Sequence, residues 1–439
     1  MNEKLLQFIW AFGYFNKQQL CTSGGEMIKI INAGEWNTNQ GPDFTGARLK
    51  IGNTDWAGNV ELHILSSDWK THHHSDDNNY RNVILHVVWD DDGFQLKDVP
   101  LLELKGRVSG LLIDRYQTWM NNMAHIPCEQ EWIKHGWQRN EDWLQYLIRE
   151  RLMEKAAQFY ESLKKTGNHW GESFWRMLAK NFGYKINTDA FESIAVSLPL
   201  TLIGRHKNQI HQLEALLLGQ AGLLQGRMKD AYSKLLQREY NFLKTKYHLK
   251  PVSIPVQFLR MRPQNFPSLR LAQLAILIQS SAHLFSVLKD ETDLTVLKNM
   301  FRVTANDYWH QHYRLGEESA FREKMLGETM IESILINTVI PAVYAYGNYH
   351  KEQVLVDRSL QWLTEIHAEK NSIVSIYERL GFDSLHSLDT QALQQLKKSY
   401  CNQKRCLDCA IGHSFLNGSP AIKKTISEPE VTKSWLDEI

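Results

Sequence analysis

The feature that most constrains this chain is a change of hydrophobic period near residue 140. Before it, apolar residues alternate in short runs broken by Gly, Asn and Pro, the pattern of strands and turns. After it they recur every three to four positions, the pattern of helices. Leu144, Leu147, Ile148, Leu152, Ala156, Phe159 and Leu163 share one helical face, and Ile210 to Leu224 and Leu269 to Leu288 repeat the style. At 439 residues the chain exceeds one ordinary core, so the switch also marks a domain boundary. The expected class is α+β. An α/β domain is expected over residues 1–125, a mostly α-helical domain over 140–400, a cysteine cluster over 401–417 and a disordered tail over 418–439.

Within the first part, residues 3–15 have helical composition. The apolar stretch from Leu5 to Phe12 lacks a basic leader and follows Glu3, so an amphipathic helix is expected rather than a signal segment. Met27 to Ile31 is a short strand, and Asn39-Gln40-Gly41-Pro42 a turn. Asp43 to Ile51 alternates with period two, Gly52 to Asp55 turns the chain in a four-residue loop, and Trp56 to Leu65 returns. Ser66 to Tyr80 is polar, rich in histidine and opened by Ser66-Ser67-Asp68, a helix-capping cluster. Val83 to Trp89 is apolar enough for a central strand, and Val99 to Leu104 forms one more. The order is α-β-β-β-α-β, with that extra strand after it.

The hairpin gathers acids. With its turn centred near residues 53–54, Asp43 faces residue 64, beside His63 and close to Glu61. Glu61 and His63 are two apart and share a strand face. Carboxylates with an imidazole suit Mg²⁺ or Mn²⁺, and the histidine admits Zn²⁺. His72, His74 and Asp77 follow on the next helix, with His74 and Asp77 three apart on one face, and His86 lies on the next strand. Taken singly, each histidine reads as a wet turn residue or a hydrogen-bonded core residue. Asp43, Glu61 and His63 together read as a metal site. A cupin-like enzyme, suggested by the His72-x-His74 pair, fails on order because the glutamate precedes the histidines and the strands are too few.

Pro42-Asp43 followed by Glu61-Leu62-His63 in this element order resembles the PD-(D/E)XK phosphodiesterase superfamily, with its restriction-endonuclease-like fold. The resemblance implies that Asp43 and Glu61 hold one or two divalent metals. It places a lysine two residues after the glutamate, where this chain has His63, which would serve as base or as ligand. Over nearly its whole length the chain also resembles an uncharacterised bacterial family, domain of unknown function 2851. That resemblance is carried by Gly41-Pro42-Asp43-Phe44, Gly58-Asn59-Val60-Glu61-Leu62-His63, Ser67-Asp68-Trp69 and Val83-Ile84-Leu85-His86-Val87-Val88. Glu214 to Ala221 and Arg262-Pro263-Gln264-Asn265-Phe266-Pro267 carry it further along. The family brings no activity with it.

Cys401, Cys406 and Cys409 are three of only five cysteines and form C-x₄-C-x₂-C. Thiolates so spaced bind Zn²⁺ or an iron–sulfur cluster, and a fourth ligand is needed from Cys128 or His413. The Cys128 option resembles certain RecB-type nucleases, where one remote and three clustered cysteines hold an iron–sulfur cluster. There the remote cysteine precedes the nuclease core, whereas Cys128 follows it. An odd cysteine count in a long chain with no 18-residue apolar run points to the cytoplasm and away from a membrane.

Net charge is +1, so no global basic field attracts nucleic acid and a local patch is required. Pro251 to Pro267 is an irregular crossing, and Arg260, Arg262 and Arg270 near Phe258, Asn265 and Phe266 are the candidate patch. The blander reading is that these arginines tie the crossing to helix ends. Trp170, Trp175, Trp309 and Trp362 are expected in the core. The leading function is a metal-dependent nuclease; the alternative is a non-catalytic protein with a structural metal and a helical partner-binding platform.

Overall fold

The structure, a computed structural model, describes residues 1–416 apart from 38, 39, 73, 75, 76, 137, 138 and 282. The tail expected over 418–439 lies outside the described residues. The fold is mixed α+β, with a curled mixed sheet near the N-terminus and a helical later part. Two compact units divide the chain. Of the described residues, the first comprises Met1–Asn140, Leu380–Phe382 and the segment from Leu396 to Leu416; the second comprises Glu141–Arg379 and Asp383–Gln395. The cysteine segment, set apart in the sequence reading, therefore folds as part of the first unit.

The first unit opens with α1 (Glu3–Phe12), capped by the Asn2 side chain on Leu5 N–H and closed by Gly13 at φ 64°. Its buried residues Leu5, Leu6, Phe8, Ile9 and Trp10 make it the amphipathic helix expected. Six strands follow: β1 (Ile28–Asn32), β2 (Glu35–Trp36), β3 (Phe44–Ile51), β4 (Thr54–Leu65), β5 (Val83–Asp90) and β6 (Leu101–Glu103). The sheet order is β1-β3-β4-β5-β6, with β2 pairing β3 off this path. β1, β3 and β4 are antiparallel; β5 runs parallel to β4, and β6 parallel to β5. Alternation on β4 puts Val60 and Leu62 on one face and Glu61 and His63 on the other, and all four are buried.

Two details move the site residues from their expected positions. The hairpin turn is Gly52-Asn53, because Ile51 pairs with Thr54, so the loop has two residues rather than four. A bulge between Phe44 and Ala47 then pairs Phe44 with Val60, leaving Asp43 one step beyond, level with Glu61 rather than with residue 64. The polar run after β4 is not one helix to Tyr80. It holds α2 (Asp68–Thr71) and a separate 3₁₀ turn, Asn78–Tyr80. Trp69 is the apolar anchor of α2, and beyond it the run has no apolar stripe to pay for further helix. The parallel return of β5 needs a bare Cα at Gly58: a Cβ there would sit 2.4 Å from Ile84 Cγ2 and 2.6 Å from the Asn82 carbonyl oxygen. Two helices close this part, α3 (Gly110–Asn121) and α4 (Glu129–His135), and the helix Ala410–Leu416 packs on α3.

The second unit is helical from α5 (Glu141–Lys165) through α6 (Trp170–Phe182), α7 (Thr188–Ser197), α8 (Leu200–His206), α9 (Ile210–Gln220), α10 (Ala231–Tyr247) and α11 (Pro267–Ser280). The α5 stripe read from the sequence is buried at every position named. Trp175, Trp309 and Trp362 are core; Trp170 is partly buried, stacked on Phe285. The chain from Pro251 to Phe266 is irregular apart from a 3₁₀ turn at Pro263–Asn265, and Pro267 opens α11. The run Glu328–His350 is long and apolar enough to cross a membrane, a property of its averaged hydropathy that a search for unbroken apolar runs passes over. With 78% of that window buried in the fold, it serves as a core helix.

Candidate metal centre

The end of the β3–β4 hairpin, the start of β5 and the α2 segment bring Asp43, Glu61, His63, His72, His74 and His86 together. Asp43 N–H donates to Glu61 Oε2 at 3.0 Å, and Asp43 accepts from Leu62 N–H at 3.0 Å and from Gln7 Nε2 at 2.7 Å. Glu61 Oε1 lies 3.6 Å from His63 Nε2 and 3.3 Å from His74 Nε2. His63 Nε2 is 3.1 Å from His72 Nδ1, and its Nδ1 is 2.9 Å from His86 Nε2. One ring nitrogen from each of His63, His72 and His74 lies within 4.8 Å of the others, a group able to hold a metal ion. Aromatic rings wall the cluster: Tyr80 stacks on His74 at 3.8 Å, and Trp69 meets His74 and His86 edge-on.

Burial drives Asp43, Glu61, His63, His74 and His86 toward their neutral forms. Burial, and after it the Asp43 carboxylate, raise Glu61; burial also raises Asp43 despite the Leu62 and Gln7 hydrogen bonds. Burial lowers His63 to about 2, helped by His86, His74 and His72, and lowers His86 to about 4. Neutral imidazole is the form that ligates metals. His74 Nε2 is buried, lies 3.3 Å from Glu61 Oε1 and makes no hydrogen bond among the described residues. An imidazole nitrogen without a hydrogen bond beside a carboxyl that burial keeps from ionising is what a cation would complete, by displacing the proton. With His63 Nδ1–H donating to His86 Nε2, the His63 Nε2 lone pair faces that same point.

Asp43, Glu61 and His63 converge as the hairpin argument expected. His72 joins them as the residue closing α2. Asp77 does not share a helical face with His74, because α2 ends at Thr71; its carboxylate instead caps the 3₁₀ turn through Asn79 N–H at 2.9 Å. His86 is level with Glu61 in the parallel register and orients His63. Sequence reasoning missed Gln7, Trp69 and Tyr80. Gln7 had a readable signal, being the polar residue inside the apolar stripe of α1.

A second cluster lies in the same unit. Cys128, Cys401, Cys406 and Cys409 are all buried. The C-terminal segment docks on the Cys128 region through Lys397 Nζ on the His125 carbonyl at 2.6 Å, Lys404 Nζ on the Met120 carbonyl, and Arg115 on the Phe415 carbonyl at 2.5 Å. Gly412 packs against the Cys406 carbonyl, where a Cβ would come within 2.3 Å. Burial pushes the Cys128 thiol up, and Cys401, Cys409 and Cys406 add to it; burial and Cys401 push Cys406 up to about 12. Thiols so raised keep their protons at neutral pH, and among the described residues the ligand group within 4.8 Å of one another is that of His63, His72 and His74 rather than the cysteines. His413, the alternative fourth ligand, packs its ring on Phe8 and Phe12, with Nε2 2.5 Å from Tyr14 Oη.

Of the candidate arginine patch, Arg262 and Arg270 line one cavity in the second unit, whereas exposed Arg260, at φ 60°, is not among its lining residues.

An α+β protein with a histidine–carboxylate cluster at a hairpin end is the class that the fold and site define. The chain belongs to the family described as Protein of unknown function (DUF2851), whose model matches residues 3–372. No curated protein and no solved structure matches it.

Proposed function

We propose that the chain is a metal-dependent phosphodiesterase acting on nucleic acid, with Glu61, His63, His72 and His74 as metal ligands and Asp43 as the adjoining carboxylate. The carrying observation is the convergence of Glu61 Oε1 with His63 Nε2 at 3.6 Å and with His74 Nε2 at 3.3 Å, the latter making no hydrogen bond among the described residues. Three imidazoles and a carboxylate fit Zn²⁺ or Mn²⁺ better than Mg²⁺, which prefers an all-oxygen shell. A bound ion supplies Lewis acidity toward a phosphoryl oxygen. Gln7 and Leu62 N–H fix the Asp43 carboxylate, His86 fixes the His63 ring, and Trp69 and Tyr80 keep bulk water off the cluster. Support for the phosphodiester substrate is the strand order, three antiparallel strands and then a parallel one, with Pro42-Asp43 and Glu61-Leu62-His63 where the PD-(D/E)XK resemblance puts its motif.

The alternative, a non-catalytic protein with a structural metal, is favoured by one feature: His63 replaces the expected lysine and is enclosed by histidines. The two readings separate when purified chain and the Asp43→Ala/Glu61→Ala double variant are incubated with single- and double-stranded DNA and RNA in Zn²⁺, Mn²⁺ or Mg²⁺. Metal-dependent cleavage by the wild type alone supports the enzyme. A metal-loaded, folded wild type that cleaves none of them supports the structural site.

For the four cysteines we propose Zn²⁺ or an iron–sulfur cluster, with Cys128 as fourth ligand. Metal and acid-labile sulfide analysis of wild type and Cys128→Ser tests this: neither ion retained by the wild type would contradict it.

A further inference from the structure

The second unit holds a cavity of about 350 Å³ lined by Arg262, Arg270, Gln273, Tyr313, Arg322 and Lys324 among others, with Glu323 its one lining carboxylate. Its deepest cations are buried without counter-ions. Arg270 is 6% exposed; its guanidinium donates to Gln273 Oε1 at 3.0 Å and Asn265 Oδ1 at 2.6 Å, both neutral, and its Nε has no partner. Lys324 is 4% exposed, with Nζ 3.3 Å from the His310 carbonyl oxygen and 3.8 Å over the Tyr313 ring. Arg262 and Arg322 stand exposed at the mouth, and their side chains make no hydrogen bond to described residues. Among the described residues, none of the four cations forms an ion pair.

Buried cations without a charged partner each lose several kcal/mol of solvation. Burial accordingly lowers the Arg270 guanidinium to about 10. A purely structural role, tying the Pro251–Pro267 crossing to α11, explains the two bonds to Asn265 and Gln273. It leaves the Arg270 Nε orphan unexplained, and Lys324, which comes from a separate segment. An anion from outside accounts for both. Guanidinium forks match phosphate oxygens two at a time, and a lysine beside them adds a point charge. The volume lies in the range of small-ligand pockets, too small for a duplex but sufficient for a phosphate and the group that bears it.

We propose that this cavity is a binding site for a terminal phosphate, gripped by Arg270 and Lys324 inside and by Arg262 and Arg322 at the mouth. The phosphate comes either from the end of a nucleic-acid strand or from a small phosphorylated molecule, and the inference stands apart from the metal centre.

The test is calorimetric titration of the full chain, in a Glu61→Ala background so that phosphate on a metal is not read. The probes are inorganic phosphate, pyrophosphate, and a matched single-stranded oligonucleotide bearing a 5′-phosphate or a 5′-hydroxyl. Arg262→Ala/Arg322→Ala, at exposed positions whose side chains make no hydrogen bond or ion pair to described residues, should keep the melting profile and weaken phosphate binding at least tenfold. Arg270→Met should weaken it further. A preference for the 5′-phosphate strand over the 5′-hydroxyl strand assigns the nucleic-acid source; pyrophosphate binding with no such preference assigns the small-molecule source. Binding of none of the four probes, or phosphate binding unchanged in both variants, overturns the site.

Discussion

Two buried glutamates, one in each unit, have opposite surroundings. Glu214 is 0% exposed in the helical unit, and its carboxylate accepts from Tyr232 Oη at 2.8 Å, Asn306 Nδ2 at 2.5 Å and Trp309 Nε1 at 3.1 Å. It ties α9 and α10 to the helix Asp307–His310 and is complete as it stands. Glu61 is 5% exposed, yet accepts one backbone N–H and turns its other oxygen toward histidines. A buried carboxyl whose oxygens are satisfied by protein donors is architecture. One left facing neutral imidazoles has room for a cation.

The largest expected effect is at Glu61. Glu61→Ala should reduce metal affinity and metal-dependent cleavage by about 100-fold or more, a first ligand costing more than its supporting partners. Its metal-free melting temperature should stay level or rise, since an uncompensated buried acid is gone. A melting temperature that falls sharply would make Glu61 as structural as Glu214. Glu214→Ala should do the reverse, leaving metal content intact while costing about 3 kcal/mol in denaturant unfolding, because three donors lose their acceptor.

The pH dependence sharpens the contrast. Burial raises Glu214 from 4.5 to about 7 against the pull of its three hydrogen bonds. The native state therefore keeps a proton that the unfolded chain has lost. Stability from this group is full below pH 4.5 and falls as pH rises to about 7, by at most about 3 kcal/mol. Glu214→Gln should flatten that slope in melts across this range, and an unchanged slope would refute the assignment. The smallest effect is at His86, one bond behind the metal ligands: His86→Ala should weaken metal binding by about 10- to 100-fold in a chelator competition.

The sequence was most legible where one period governed a segment. Alternation put Glu61 and His63 on one face of β4, and the 3.6 period marked the buried stripe of α5. Register was less legible: a four-residue loop was read where Gly52-Asn53 turns the chain, and the bulge after Phe44 leaves no trace in apolar alternation. The histidine segment was misread because capping residues occur both within it and before it. Ser66-Ser67-Asp68 opens a helix of four residues, and Asp77 caps another turn instead of facing the site. Cys128 was legible through scarcity, as a cysteine left over from the three clustered ones. Lys324 and Arg322 were not, since nothing local ties them to Arg262 and Arg270 more than fifty residues earlier.

The most direct test of the central claim is metal content after loading with Zn²⁺ or Mn²⁺ and desalting, compared between a Cys128→Ser/Cys401→Ser background and the same background carrying Glu61→Ala/His63→Ala. The account predicts about one equivalent retained by the first and lost in the second, with both still folded. No ion retained by the background chain, or equal content in the two, would contradict it.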